Sequence, residues 1–258
     1  MRRTLSKAGL LLYLVIFASS GQAAVVEPSL HLPKTTEPAP RVALTLDLCM
    51  GDADHRILDT LISEKIKATL FVTGRWIKRN AAAIAQIKRH PDLFEIANHG
   101  ANHIPAIDNQ PEIYGLKTAG SLKAVCEEVE GGEQALTDAG FLPSTWYRDA
   151  SAVYSPDAIN LIKAMGYRVA GFSLNADVGA SLPAAQVADR IAKAVDGDVI
   201  IAHMNQPNRP SGRGVVAGII SLKKRGFNFV TLSGGMNSKS AQNQLKVSCA
   251  EIFAKLNK

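Results

Sequence analysis

Two histidines four residues apart, His99 and His103 in the stretch Asn98-His99-Gly100-Ala101-Asn102-His103, form the pattern in this chain best able to do chemistry. Imidazoles at that spacing can both reach one cation when a turn of helix follows the first. The apolar run Phe94–Ala97 before them reads as a strand. The pair therefore stands just past a strand's C-terminal end, where α/β proteins gather functional side chains. Other polar residues fall at the same kind of place. Asp47 follows the run Val42–Leu46, and Arg148, with Asp149 beside it, follows Thr145–Tyr147. Asn175 and Asp177 follow Arg168–Phe172, and His203 follows Val199–Ala202. Taken singly, each has a plain structural reading as a strand end, a surface ion pair, a turn residue or a core histidine. Their shared placement points instead to one cavity. Two neutral imidazoles with an anionic ligand suit zinc or a similar divalent ion, with one position open for water. Such an ion acidifies its water and polarises a carbonyl. A carboxylate such as Asp47 takes the proton, and an imidazole on the other side, His203, donates one to the leaving amine. An arginine beside the carboxylate keeps it ionised. The chemistry predicted is metal-assisted hydrolysis.

The elements that must hold these residues are legible as an alternation. Short Val-, Ile- and Phe-rich runs at 42–46, 68–72, 94–97, 145–147, 168–172, 199–202 and 227–232 read as strands. Between them, amphipathic stretches near 57–64, 81–88, 122–136, 156–165, 184–194 and 215–224 read as helices. Strand and helix in turn argue for a parallel sheet with crossover helices. Seven units in roughly 200 residues favour a distorted (β/α) barrel of about seven parallel strands over an open doubly wound sheet. The first strand runs into Asp47-Leu48-Cys49-Met50-Gly51, which is not the glycine-rich phosphate turn an open sheet would show. After Gly234 a polar stretch leads to a last helix with Leu245, Cys249, Ile252 and Leu256 on one face.

Residues 1–23 read as a secretory signal peptide rather than an anchor. Arg2, Arg3 and Lys7 precede an apolar run, Ala8–Ala18, well short of the roughly 20 residues a spanning helix needs. Residues 24–40 are an extended, proline-bearing lead-in, 41–234 the domain, and 235–258 the polar linker and C-terminal helix. Export, with a periplasm as destination, puts Cys49, Cys126 and Cys249 in an oxidising compartment. Three is odd, so at least one thiol stays unpaired within the chain, and Cys126 with Cys249 is a possible bridge. Without the three leader cations, 26 basic residues face 23 acidic ones. That balance is too mild, and too free of basic runs among aromatics, to indicate nucleic acid. No stable membrane insertion is expected after cleavage.

From Arg41 to Gly234 the chain resembles the polysaccharide deacetylases with a NodB homology domain (carbohydrate esterase family 4). Thr45-Leu46-Asp47 is similar to the start of the family's Thr-Phe-Asp-Asp-Gly motif, whose first Asp is the general base. The stretch from Asn98 to His103 is similar to its His-Ser/Thr-x-x-His metal motif. Trp146-Tyr147-Arg148 falls where the family has an aromatic and the arginine that holds the base. Asp177 lies where an Asp supports the catalytic histidine, and Ile201-Ala202-His203 resembles the Leu-x-His motif whose histidine is the general acid. The resemblance implies a distorted barrel, a divalent metal, and N-acetylated sugar polymers as substrate.

Two departures stand out. Leu48 replaces the family's second Asp, a metal ligand, and cannot coordinate. Cys49 or Asp52 is then the expected third ligand, followed by Asp47 and last by no third ligand at all; Asp54 reads as the N-cap of the next helix. Ala150 and Ala152 stand where the family has Pro and Gly, so that loop is expected to take another path. Trp76, Trp146 and Tyr147 are candidate sugar platforms. Removal of N-acetyl groups from a polysaccharide or peptidoglycan is the expected activity. The alternatives are a degenerate glycan-binding domain and a hydrolase of another C–N amide in a small molecule.

Overall fold

The computed structural model describes residues 24–236 and 246–256. The expected signal peptide, most of the polar linker, Leu245 and the side chain of Leu256 lie outside the described residues. In chain order the domain runs β1 (Arg41–Leu48), α1 (His55–Ser63), β2 (Ala68–Val72), α2 (Gly74–Arg79), α3 (Ala81–Lys88) and β3 (Phe94–Asn98). It continues through a small hairpin, β4 (Glu112–Ile113) and β5 (Leu116–Lys117), then α4 (Leu122–Asp138), β6 (Trp146–Tyr147), α5 (Pro156–Ala164), β7 (Arg168–Val169) and β8 (Leu174–Asn175). It closes with α6 (Ala184–Ala192), β9 (Val199–His203), α7 (Ser211–Lys224), β10 (Asn228–Val230), α8 (Leu232–Gly235) and α9 (Cys249–Leu256).

The main sheet is parallel in every pairing, in the order β7-β6-β3-β2-β1-β9-β8, with β10 added to the start of β1. It is the expected distorted (β/α) barrel. The strand expected over 168–172 is split: β7 pairs with β6, and β8 pairs with β9. Four residues separate them, so one stretch of chain borders both ends of the path. The lead-in covers that stretch. Val26 bridges to Tyr154, Ser29 to Phe172 and His31 to Asp198, and Leu32 is buried. A Cβ on Gly171 would collide with the Pro28 carbonyl, so glycine is what permits this approach.

Every residue of β1 is buried, and its pleat sorts them by parity. Val42, Leu44, Leu46 and Leu48 enter the large core shared with the helices, alongside Ile57, Leu61 and Ile219. Ala43, Thr45 and Asp47 point the other way, into the barrel. The N-termini of the two helices that follow β1 and β2 are capped by side chains. Asp54 accepts from the Arg56 amide at α1, and Thr73 from the Trp76 amide at α2. A disulfide joins Cys126 of α4 to Cys249 of α9, leaving Cys49 free and buried. The bridge closes a separation of 123 residues, for which loop-closure entropy is worth about 4–5 kcal/mol.

Candidate active site

Sheet register brings the site together. Asp47 is the direct neighbour of His203 across β1 and β9. Leu48 aligns with Val72, Val72 with Asn98, and Asn98 with Tyr147. His99 and Arg148 therefore stand one step past the same level, at the strands' C-terminal ends. Asn175 pairs with Ile201, which carries Asp177 up to His203. Asp47 and Cys49 share the parity of the barrel face, whereas Leu48 is sealed in the outer core. A donor at 48 would be on the wrong side of the pleat; one at 49 is on the right side.

In one wall of the cavity each charged group has a partner, although Arg148 Nε has no acceptor among the described residues. Arg148, completely buried, donates from Nη1 to Asp47 Oδ1 at 2.8 Å and to Thr45 Oγ1 at 2.9 Å. Its Nη2 donates to the Gly171 carbonyl at 2.9 Å, and its plane lies 4.2 Å over the Phe71 ring. Burial works against the Asp47 carboxylate, but Arg148 first, then His99 and His203, hold its pKa below the usual value. On the far side Asp177 clamps His203, accepting from its backbone amide and from Nδ1, both at 2.8 Å. Burial opposes the imidazolium here too, yet Asp177 raises the His203 pKa well above the ordinary value.

The other wall is short of a partner. His99 Nδ1 donates to the Arg148 carbonyl at 2.7 Å, which turns Nε2 toward Cys49 Sγ, 3.4 Å away, and Asp47 Oδ2, 3.9 Å away. The His103 ring lies 5.2 Å from that of His99, and both its nitrogens are buried with no hydrogen-bond partner among the described residues. Its backbone is held at a φ of 64°, which a residue with a side chain adopts at a cost of order 1 kcal/mol. Among the described residues, Cys49, His99 and His103 offer donor atoms that all lie within 4.8 Å of one another. Burial raises the Cys49 pKa, but the two histidines outweigh it and bring the thiol well below its usual value. Burial likewise lowers His99, but Asp47 and then Cys49 raise it to about 9. A thiolate, a turned imidazole and an orphaned imidazole are a donor set that fits a divalent cation.

Further residues shape the loops of both walls. Glu128 of α4, buried, accepts from the amides of Asn102 at 2.7 Å and Ile104 at 3.2 Å, gripping the loop on both sides of His103. Gly100 has a φ of 82°, and a Cβ there would collide with the Glu128 carboxylate. Asn98 accepts from the Gly100 amide at 2.8 Å. Asp149 takes the Ala106 amide at 2.7 Å and the Ser151 amide at 3.1 Å, and shapes the loop after Arg148. That loop carries Ala152 at a φ of 54°.

Other expected site residues are placed elsewhere. Asp52 does not join the donor cluster: it sits at the surface, bound by Arg79 at 2.6 Å. Trp76, Trp146 and Tyr147 are core residues, not sugar platforms. Trp146 is covered by the Arg168 guanidinium at 4.1 Å and donates to Ser233, while Tyr147 packs edge-on to Tyr167. Strand ends inside a barrel wall bury aromatic faces that a sugar would need exposed.

A family model described as polysaccharide deacetylase matches residues 34–170. A peptidoglycan-N-acetylglucosamine deacetylase of Bacillus cereus is 25% identical over 188 residues, 69% of this chain and 79% of that protein. The chain spans 63% and 30% of the lengths of two further curated relatives. The solved Bc1960 peptidoglycan N-acetylglucosamine deacetylase overlays with a TM-score of 0.67 at 19% identity, covering 82% of this chain and 93% of that one. BA3943 of Bacillus anthracis, a pseudoenzyme of carbohydrate esterase family 4, overlays with a TM-score of 0.61 at 17% identity, covering 81% and 68%. At these identities the overlays establish a shared fold.

Proposed function

This chain belongs to the polysaccharide deacetylase family, and from that premise we propose that it is an exported, metal-dependent hydrolase removing N-acetyl groups from a polysaccharide or peptidoglycan. The observation that carries the reading is the convergence of the Arg148–Asp47 pair and the Asp177–His203 pair on a donor cluster whose His103 has no hydrogen-bond partner among the described residues. Cys49, His99 and His103 would hold the ion, zinc by the taste of thiolate and imidazole, and it would polarise the acetamide carbonyl and acidify the attacking water. Asp47 is the base. Arg148 occupies its Oδ1 and keeps it ionised, leaving Oδ2 on the cluster side to take the proton. His203 is the acid. Asp177 holds its Nδ1 and favours the protonated ring, leaving Nε2 to protonate the departing amine. The pairing of Asp47 with His203 across β1 and β9 supports a base and an acid acting on one scissile bond. Export rests on the leader-like residues 1–23; among the described residues no helix is long and apolar enough to cross a membrane.

The test is acetate release by the purified mature protein from chitin oligomers and from peptidoglycan, with and without chelator. Release that stops with chelation and returns with zinc is expected. No release with zinc, cobalt or nickel would overturn the hydrolase reading. Leu48 at the family's ligand position favours one rival, a domain that binds glycan without turnover. It predicts oligosaccharide binding, no acetate and no retained metal.

A further inference from the structure

Beside the donor cluster lies a cleft of about 300 Å³ lined by Met50, Gly51, Arg75, Lys78 and Arg79. We propose that it is a subsite for an oxyanion carried by the glycan, so that this enzyme prefers a strand with an anionic group near the acetamide it cleaves. The inference rests on the hydrolase reading and adds its substrate class. The cleft is joined to the chemistry by backbone. Met50 directly follows Cys49, and the Cys49 carbonyl accepts from Thr73 Oγ1 at 2.5 Å, just before α2. At the start of α2, the amides of Gly74 and Arg75 donate at 3.0 Å to the carbonyls of Gly100 and Ala101, within the loop that carries His103. Arg75 also reaches the Asn102 carbonyl from Nη1 at 3.4 Å. A group filling the cleft is therefore one residue from a donor on one side and against the second histidine's loop on the other.

Charge identifies the occupant. Three cations face the cleft, and the Asp52 carboxylate neutralises only Arg79, at 2.6 Å. Arg75 and Lys78 are exposed, and Lys78 makes no hydrogen bond or ion pair with any described residue. An acetamide and an unmodified amino sugar carry no negative charge, so a neutral polymer leaves both cations without a counter-charge. A carboxylate or phosphate on a neighbouring sugar would meet them, with guanidinium and ammonium both suited to oxyanions. The volume is at the lower end of that of small-molecule sites, enough for one substituted ring.

The experiment compares oligosaccharides of equal length: a neutral chitin oligomer, an oligomer whose alternate sugars bear a lactyl carboxylate, the methyl ester of that acid, and a phosphorylated chitin oligomer. Binding is measured by calorimetry and kcat/KM by acetate release, for the wild type and for Arg75→Ala/Lys78→Ala. The acid is expected to bind about tenfold tighter than its ester, with the gap closing at high salt and in the double variant. A larger preference for the phosphorylated oligomer would assign the subsite to phosphate instead of carboxylate. Equal binding of acid, ester and phosphorylated oligomer, binding of none, or a charge preference that survives the double variant would each overturn the proposal. Acetate from acid and ester at equal kcat/KM would sink the subsite and leave the hydrolase. A charge-selective binder that releases no acetate would do the reverse.

Discussion

The two walls of the cavity differ in how their polar atoms are satisfied. On the Asp47–Arg148 and Asp177–His203 side, each charged group has a partner at 2.8–2.9 Å. On the opposite side His103 has none among the described residues, although its ring nitrogens are buried. In the first wall every charged group meets a counter-charge; in the second an imidazole waits for one. The difference separates groups that move protons from groups that hold an ion, and substitutions on each side should fail in different ways.

The largest expected effect is on the first wall. His203→Ala should lower kcat about 10³-fold while metal content, read by elemental analysis, stays at the wild-type level. Loss of metal as well would erase the distinction between the walls. Next, Cys49→Ser should weaken metal binding by more than about 100-fold in a competition titration, since a direct donor matters more than the supporting residues whose loss costs 10–100-fold. Cys49→Asp should recover much of it. Asp149 sharpens the comparison from beneath the first wall. Burial pushes its pKa up to about 6, against the hydrogen bonds it accepts from Ala106 and Ser151. A carboxyl raised in the folded state binds the extra proton there, so its contribution falls as pH climbs from about 4 to about 6, by about 3 kcal/mol in all. Urea unfolding at pH 4 and pH 7 should show the wild type losing that increment relative to Asp149→Asn. An equal pH dependence in both proteins would refute it. Smaller still, Glu128→Ala should loosen the loop around His103 and reduce metal affinity about tenfold with little change in the pH profile of turnover. Asp52→Ala should leave metal content unchanged.

Much of this arrangement could be read from the chain, for identifiable reasons. Parallel strands buried on both faces appear as apolar runs, so six of the seven expected strands matched observed ones within a few residues, while the run at 168–172 gave β7 and left β8, just beyond it, unforeseen. Charged or imidazole residues directly after such runs were visible as Asp47, His99, Arg148 and His203. Parity along β1 explains why Cys49 joined the histidines and Asp52, three residues further on and outside the strand, did not. The misjudged aromatics have a different cause. Spacing places Trp146 and Tyr147 at a strand end but says nothing of α5, Tyr167 or Arg168, which cover them. Glu128 was invisible because it acts from the middle of α4, 26 residues from the amide it grips, and looks there like any helical acid. The six-residue α2 was missed because it starts at a glycine and is too short to show a period.

The lead-in has a consequence for the molecule's dealings with its own copies. Residues 26–31 lie along the stretch that borders both ends of the sheet path, where β7 and β8 are only two residues each. Pro28 presses on Gly171, whose carbonyl in turn receives the Arg148 guanidinium. A chain trimmed to start at residue 34 would uncover two short sheet borders with unspent amides and carbonyls, ready to recruit strands from other molecules. Clumping would announce that defect before any fall in turnover did.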